Sequence, residues 1–152
     1  MTTYSDIPTW RDLPDPVRQP EFYDSVPSKR LLAWVVDSIL IGLMVVLILP
    51  FTGFLGLFVL FPLYFLVGFA YRVITLSRGS ATFGMRLMAI EMRQSNGQRF
   101  DLGTSFFHTL GFTVSFSFTI LQVISVVLMV TTDRGRGLTD HVLGTVALNR
   151  RR

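Results

Sequence analysis

The sequence predicts an all-α membrane protein built from a transmembrane helical hairpin, a small cytoplasmic β-hairpin and a third apolar helical segment. Three observations predict it. Half of the 152 residues are hydrophobic and only 16% are charged, with a mean hydropathy of +0.50, far from the balance of a soluble domain. The apolar residues gather into three runs, about 31–49, 54–71 and 106–130, each near the roughly 20 residues that cross a bilayer core. Basic residues collect outside those runs and are missing from the turn between the first two.

The first 27 residues differ in composition from the rest of the chain. They carry Asp6, Asp12, Asp15, Glu21 and Asp24 against Arg11 and Arg18, and hold five of the seven prolines. Such a composition predicts a disordered or extended acidic tail. From Ser28 onward twelve Lys/Arg face five acids, giving a membrane domain over 28–149 and a basic terminus at 150–152. The first apolar run begins at Leu31 without an early basic stretch or a small-residue cleavage site, so it reads as a retained anchor and not as a cleaved signal.

Within the first run, Leu31 to Leu49, one charge interrupts: Asp37. Pro50-Phe51-Thr52-Gly53 then forms an uncharged turn, and the second run, from Phe54 to Tyr71, contains Pro62, which predicts a kink there. Lys29 and Arg30 precede this hairpin, while Arg72, Arg78, Arg86, Arg93 and Arg99 come after it. The positive-inside bias therefore sets both its ends, and the N-terminus, on the cytoplasmic side.

Met85 to Arg93 alternates, with Met88, Ile90 and Met92 on one side, and is followed by Ser95-Asn96-Gly97-Gln98 and then Arg99 to Leu102. Asn-Gly favours a two-residue hairpin turn because both positions accept positive φ. This predicts a β-hairpin at the cytoplasmic surface, the alternative being an interfacial helix over Ser80 to Arg93. The run Phe106 to Val130 has two readings. A single crossing would export Arg134, Arg136, Arg150, Arg151 and Arg152 against the charge bias. A run bent around Gly111 or Ser115-Phe116-Ser117 would dip in and return, and is the reading favoured.

Composition also excludes chemistry. Without cysteine there is no disulfide, thiolate metal site or Cys nucleophile, and two histidines without carboxylates at ligand spacing leave little for zinc. No Ser/His/Asp order, phosphate loop or dinucleotide turn occurs, so neither an enzyme nor a cofactor is expected. The basic balance suits anionic lipid at the cytoplasmic face and not nucleic acid.

The candidate site is a set of charged residues. Arg30 precedes Asp37 by seven residues, which on a helix returns to nearly the same face about 10 Å deeper. A carboxylate at a span centre costs roughly 2.5–3.5 kcal/mol on the lenient insertion scales, so it is a functional candidate by default. Arg30 can bend inward to Asp37 or pair with Asp140 if the C-terminal segment returns to the same side. His108 fits a span end satisfied at the interface better than a proton relay. Tyr64, Tyr71 and Trp34 suit interfacial or cleft positions.

Arg30 and Asp37 at the first span, Thr82-Phe83-Gly84-Met85-Arg86-Leu87-Met88 after the second, and Gly137-Leu138-Thr139-Asp140 with Gly144-Thr145 near the end together resemble the RDD family of bacterial membrane proteins, over about Ser28 to Ala147. The family takes its name from one arginine and two aspartates, which map here to Arg30, Asp37 and Asp140. Gly84, Arg86 and His108 are secondary candidates. Thr139 stands where relatives commonly have His or Gly, and His108 where many carry an arginine. The resemblance implies a bacterial inner-membrane location and suggests transport of a ligand it does not identify.

Two functions are expected from these residues. The favoured one is a non-enzymatic accessory or structural subunit that docks to another membrane protein, or to further copies of itself, through its helices and the Arg/Asp constellation. The alternative is an oligomeric cation, proton or small-ligand transporter with Asp37 as the protonatable group.

Overall fold

In a computed structural model of the chain, which describes residues 12–53 and 55–150, six helices and one two-stranded sheet occur in the order α1 (Val26–Ile48), α2 (Leu60–Gly79), α3 (Phe83–Leu87), β1 (Ile90–Gln94), α4 (Leu102–Ser117), α5 (Thr119–Thr131), α6 (Leu138–Leu143) and β2 (Thr145–Asn149). The helix formed around α1 and the helix α2 are each long and apolar enough to cross a membrane, and the bent pair α4–α5 is a third candidate. Large apolar side chains such as Ile39, Val46, Leu47, Phe61, Leu66, Ile120 and Val130 are exposed along these helices. Surfaces of this extent are lipid- or partner-covered in stable proteins.

The second helix is displaced from its expected place. Leu49–Thr52 and Leu55–Leu57 form short 3-10 turns, with Gly53 in the left-handed region at φ 60°, so α2 begins only at Leu60 and extends to Gly79. Pro62 thereby falls in the first turn, where a missing N–H leaves no helical hydrogen bond unmade, and the kink expected from it is not needed. Arg72, expected just beyond the span, lies inside it.

The expected β-hairpin is also revised. The Asn-Gly turn forms, with Gly97 N donating to Gln94 O at 2.9 Å and Gln94 N to Gln98 O at 2.9 Å. Beyond these bonds at Gln94 the residues after the turn form no strand along β1. Its partner is β2, antiparallel, with Met92 opposite Ala147 and Gln94 opposite Thr145. The alternation was legible, because Ile90 and Met92 are buried, but Met85 to Leu87 belong to α3. Ser80, which ends α2 at φ 52°, ties the region together: its carbonyl accepts from Met92 N at 2.7 Å and its Oγ from Phe100 N at 2.7 Å.

The core sits at this end of the helices. Ile90, Met92 and Ala147 meet Val26, Ala33, Leu76 and Phe100 on one face of the sheet. Val146 and Leu148 meet Leu13 and Tyr23 on the other. The acidic segment expected to be a disordered or extended tail therefore divides: residues 1–11 lie outside the described residues, and residues 12–25 lie against β2. Tyr23 Oη donates to Pro14 O at 2.7 Å, and Asn149 Nδ2 donates to the Glu21 and Asp24 carbonyls at 2.8 and 2.9 Å. Lys29 Nζ donates to Asn149 Oδ1 at 2.7 Å.

The third run is bent, one residue beyond the Ser115-Phe116-Ser117 stretch, a shape shared by a broken span and a re-entrant pair. α4 and α5 meet at 116°, at Phe118 with φ −114° and ψ 107°. Thr113 Oγ1 donates to Thr109 O and Ser117 Oγ to Thr113 O, both at 2.8 Å, and such back-bonding weakens and bends a helix. Ser115 Oγ donates across the elbow to Gln122 Oε1 at 3.3 Å. Each arm is short, roughly 24 Å and 20 Å at 1.5 Å per residue, and the chain that leaves β1 for the pair returns through α6 to pair with it at β2.

Candidate functional site

Asp37 is held by the start of α3. It is buried in α1, and its Oδ1 accepts from Tyr71 Oη at 2.7 Å and from Gly84 N at 2.9 Å, while its Oδ2 accepts from Thr82 Oγ1 at 2.6 Å. Thr82 is the N-cap of α3, its Oγ1 accepting from Met85 N at 3.2 Å. Tyr71 Oη accepts from Phe83 N at 2.9 Å. The unpaired donors of a helix N-terminus are thus arranged around a carboxylate, where they stabilise negative charge. Gly84 is required for contact, since a Cβ there would strike the Ala33 carbonyl and Asp37 Oδ1.

Asp140 is the second centre. It is fully buried at the third position of α6, and its Oδ2 accepts from Arg30 Nη1 at 2.5 Å and from Gly137 N at 3.0 Å. Oδ1 meets His108 Nε2 at 2.9 Å and Thr145 Oγ1 at 2.9 Å. Gly144, left-handed at φ 64°, ends α6 so that Thr145 turns back onto the carboxylate. Burial alone would raise the Asp140 carboxyl, but the Arg30 guanidinium and His108 together hold it well below the usual carboxylate range.

Arg30 accordingly pairs with Asp140 and not with Asp37, although Arg30 and Asp37 border one cleft, as their spacing predicts. His108, expected to be satisfied at an interface, meets Asp140 inside the protein. It is buried, edge-on to the Phe100 ring at 5.3 Å, and joins the Asp140 centre. Arg86 does not: its guanidinium lies beside Gly79. Among the described residues no group of His, Asp and Glu suited to a metal occurs.

The cleft between the two centres has a volume of about 390 Å³ and lies between α1, the bent pair and α6. Its polar lining includes Arg72, Thr109 and Gln122, which sequence reasoning did not single out as site residues. Arg72 escaped because the second span was ended at Tyr71. Thr109 and Gln122 carry no charge, and only the elbow of the bent pair turns them inward.

A model of the RDD family matches residues 25–144, which spans both aspartate centres and the motifs that surround them. The chain belongs to the RDD family. No curated protein and no solved structure matches it. In this RDD protein the arginine and two aspartates are divided between the centres, with Arg30 and Asp140 clamping α1 to α6 and Asp37 clamping α1 to α3. Family membership and the apolar helices together point to a membrane protein.

Proposed function

We propose that this RDD protein is a non-enzymatic accessory or structural subunit of the bacterial inner membrane, with its N-terminus cytoplasmic and its Arg/Asp constellation serving to fasten the helices into a docking-competent shape. The observation that carries this reading is that every oxygen of Asp37 and Asp140 is already occupied by donors from the chain itself. A carboxylate that loads and releases an ion must exchange such donors in each cycle, whereas one that fixes helix positions keeps them. The topology agrees. β1 and β2 pair at one end of the molecule, so the chain between them returns to the side it left, and the arginines around the sheet favour the cytoplasm as that side. The exposed apolar faces of α1, α2 and α5 then remain for lipid, a larger membrane protein or further copies of the chain.

The test is purification in mild detergent of wild type and Asp37→Asn. Wild type should elute with a partner at defined stoichiometry, and the variant should lose it; a monodisperse, partner-free wild type argues against the reading. A second reading, an oligomeric carrier, is favoured by the polar-lined cleft. It predicts normal assembly of Asp37→Asn with loss of ion flux in proteoliposomes.

A further inference from the structure

We propose that the cleft holds one anionic amphiphile, its phosphate or carboxylate head against Arg72 and its acyl chain along the apolar wall between α1 and α5. The first observation is a cation without an oxygen partner. Arg72 lies seven residues before Gly79, the last residue of α2, or roughly 10 Å inside the helix end. Among the described residues its guanidinium donates no hydrogen bond to a carboxylate, hydroxyl or carbonyl. Its contact is with the face of the Phe112 ring, 4.9 Å from the centroid, and it folds back along Gly68, where the absent Cβ leaves it room.

The neighbouring carboxylate does not discharge it. Asp37 attracts Arg72, but both Asp37 oxygens are engaged by Tyr71, Thr82 and Gly84, and Arg30 and Asp140 neutralise each other. A cation at this depth is stable when it faces a cavity or an anion. The cation–π contact supplies part of that stabilisation, and a planar guanidinium has its best remaining partner in an oxyanion that it can grip with two N–H groups.

The second observation is independent. Thr109 lines the same cleft one helical turn before Phe112, whose ring carries Arg72, and its buried Oγ1 has no hydrogen-bond partner within the protein. Beyond it the lining turns apolar. Leu31, Trp34, Val126 and Val130 form walls that are themselves exposed on the outside of the helices, so the cleft opens sideways onto the surface that bilayer chains would touch. A volume of about 390 Å³ is in the range of small-ligand sites. A polar floor with a cation and a lateral apolar exit suits a head with a tail better than a free ion.

The full-length protein in mild detergent, incubated separately with phosphatidylglycerol, oleate and phosphatidylcholine and then observed by native mass spectrometry, tests this. Wild type should retain one equivalent of phosphatidylglycerol or oleate in preference to phosphatidylcholine by about tenfold, the order of one charge-assisted contact. Retention of phosphatidylglycerol alone assigns a bilayer lipid, and of oleate alone a free fatty acid. Arg72→Gln should lose the retained molecule while Arg78→Gln, at the end of the same helix, should keep it. Val126→Trp leaves every polar group in place and obstructs the tail, so it should also lose retention and decides the matter if Arg72→Gln does not fold. Equal retention of phosphatidylcholine, undiminished retention in Val126→Trp, or equal loss in Arg78→Gln overturns the proposal.

Discussion

Asp140 shows at the scale of one residue how a charge is made tolerable away from water: four donors converge on it from α1, α4, the N-cap of α6 and β2. Removing one half of a buried ion pair costs about 3–5 kcal/mol, because the other half is left uncompensated. Asp140→Asn should therefore lower stability by about that amount in denaturant titrations in detergent, and a loss below about 1 kcal/mol would contradict the clamp. The pH dependence has a definite sign. The folded carboxyl lies below its ordinary value of 3.8, so the stabilisation by ionised Asp140 is complete above that pH and declines as acid takes the pH below it. The wild-type melting midpoint should fall more steeply below pH 4 than that of Asp140→Asn, which has no carboxyl at this position to protonate. Gly84 makes the complementary case, in which sequence shows the residue but not the reason. Gly84→Ala forces a methyl against the Ala33 carbonyl and should cost roughly 1–3 kcal/mol, the range of overpacked sites. Thermal unfolding of the variant in detergent measures it.

The sheet is the element that organises the molecule. β1 and β2 join residues 90–94 to 145–149, and β2 is buried on both faces, by the helices through Ala147 and by residues 12–25 through Val146 and Leu148. Val146→Asp would place an unpaired carboxylate between β2 and Tyr23, a costly burial, and should release the N-terminal segment. The expected result is faster trypsin cleavage after Arg18, which is exposed on that segment, with little change in cutting elsewhere. Cleavage at the wild-type rate would mean that residues 12–25 are held by other contacts. The alternating pattern and the Asn-Gly turn made β1 legible. Its partner was not, because the turn geometry offers the next residues first, and only the return of α4–α5 brings β2 within reach.

At the scale of the whole molecule, the path of the bent pair decides on which side the C-terminus lies relative to β1. The proposed topology is testable because the chain has no cysteine, so single cysteines can be introduced one at a time. Gln98→Cys and Arg150→Cys, both at exposed positions, should react with an impermeant thiol reagent from the same side of sealed vesicles. Phe51→Cys, 91% exposed in the α1–α2 turn, should react from the other. Labelling of Arg150→Cys together with Phe51→Cys would show that residues 102–131 cross completely and would remove the support for a re-entrant pair.

Hydropathy, charge asymmetry and the local motifs are properties of neighbouring residues, which is why the sequence by itself determined the membrane character, the approximate apolar runs, the presence of β1 and its turn, and Arg30, Asp37 and Asp140 as the residues of interest. Tertiary structure alone decided their partners. Whether Arg30 meets Asp37 or Asp140 depends on the path of the chain over a sequence separation of 110 residues, and the placement of Arg72 inside a helix depends on two 3-10 turns that delay α2. Local preference is encoded within a few residues, whereas a buried charge is settled by whichever distant donors the completed packing brings within hydrogen-bonding distance.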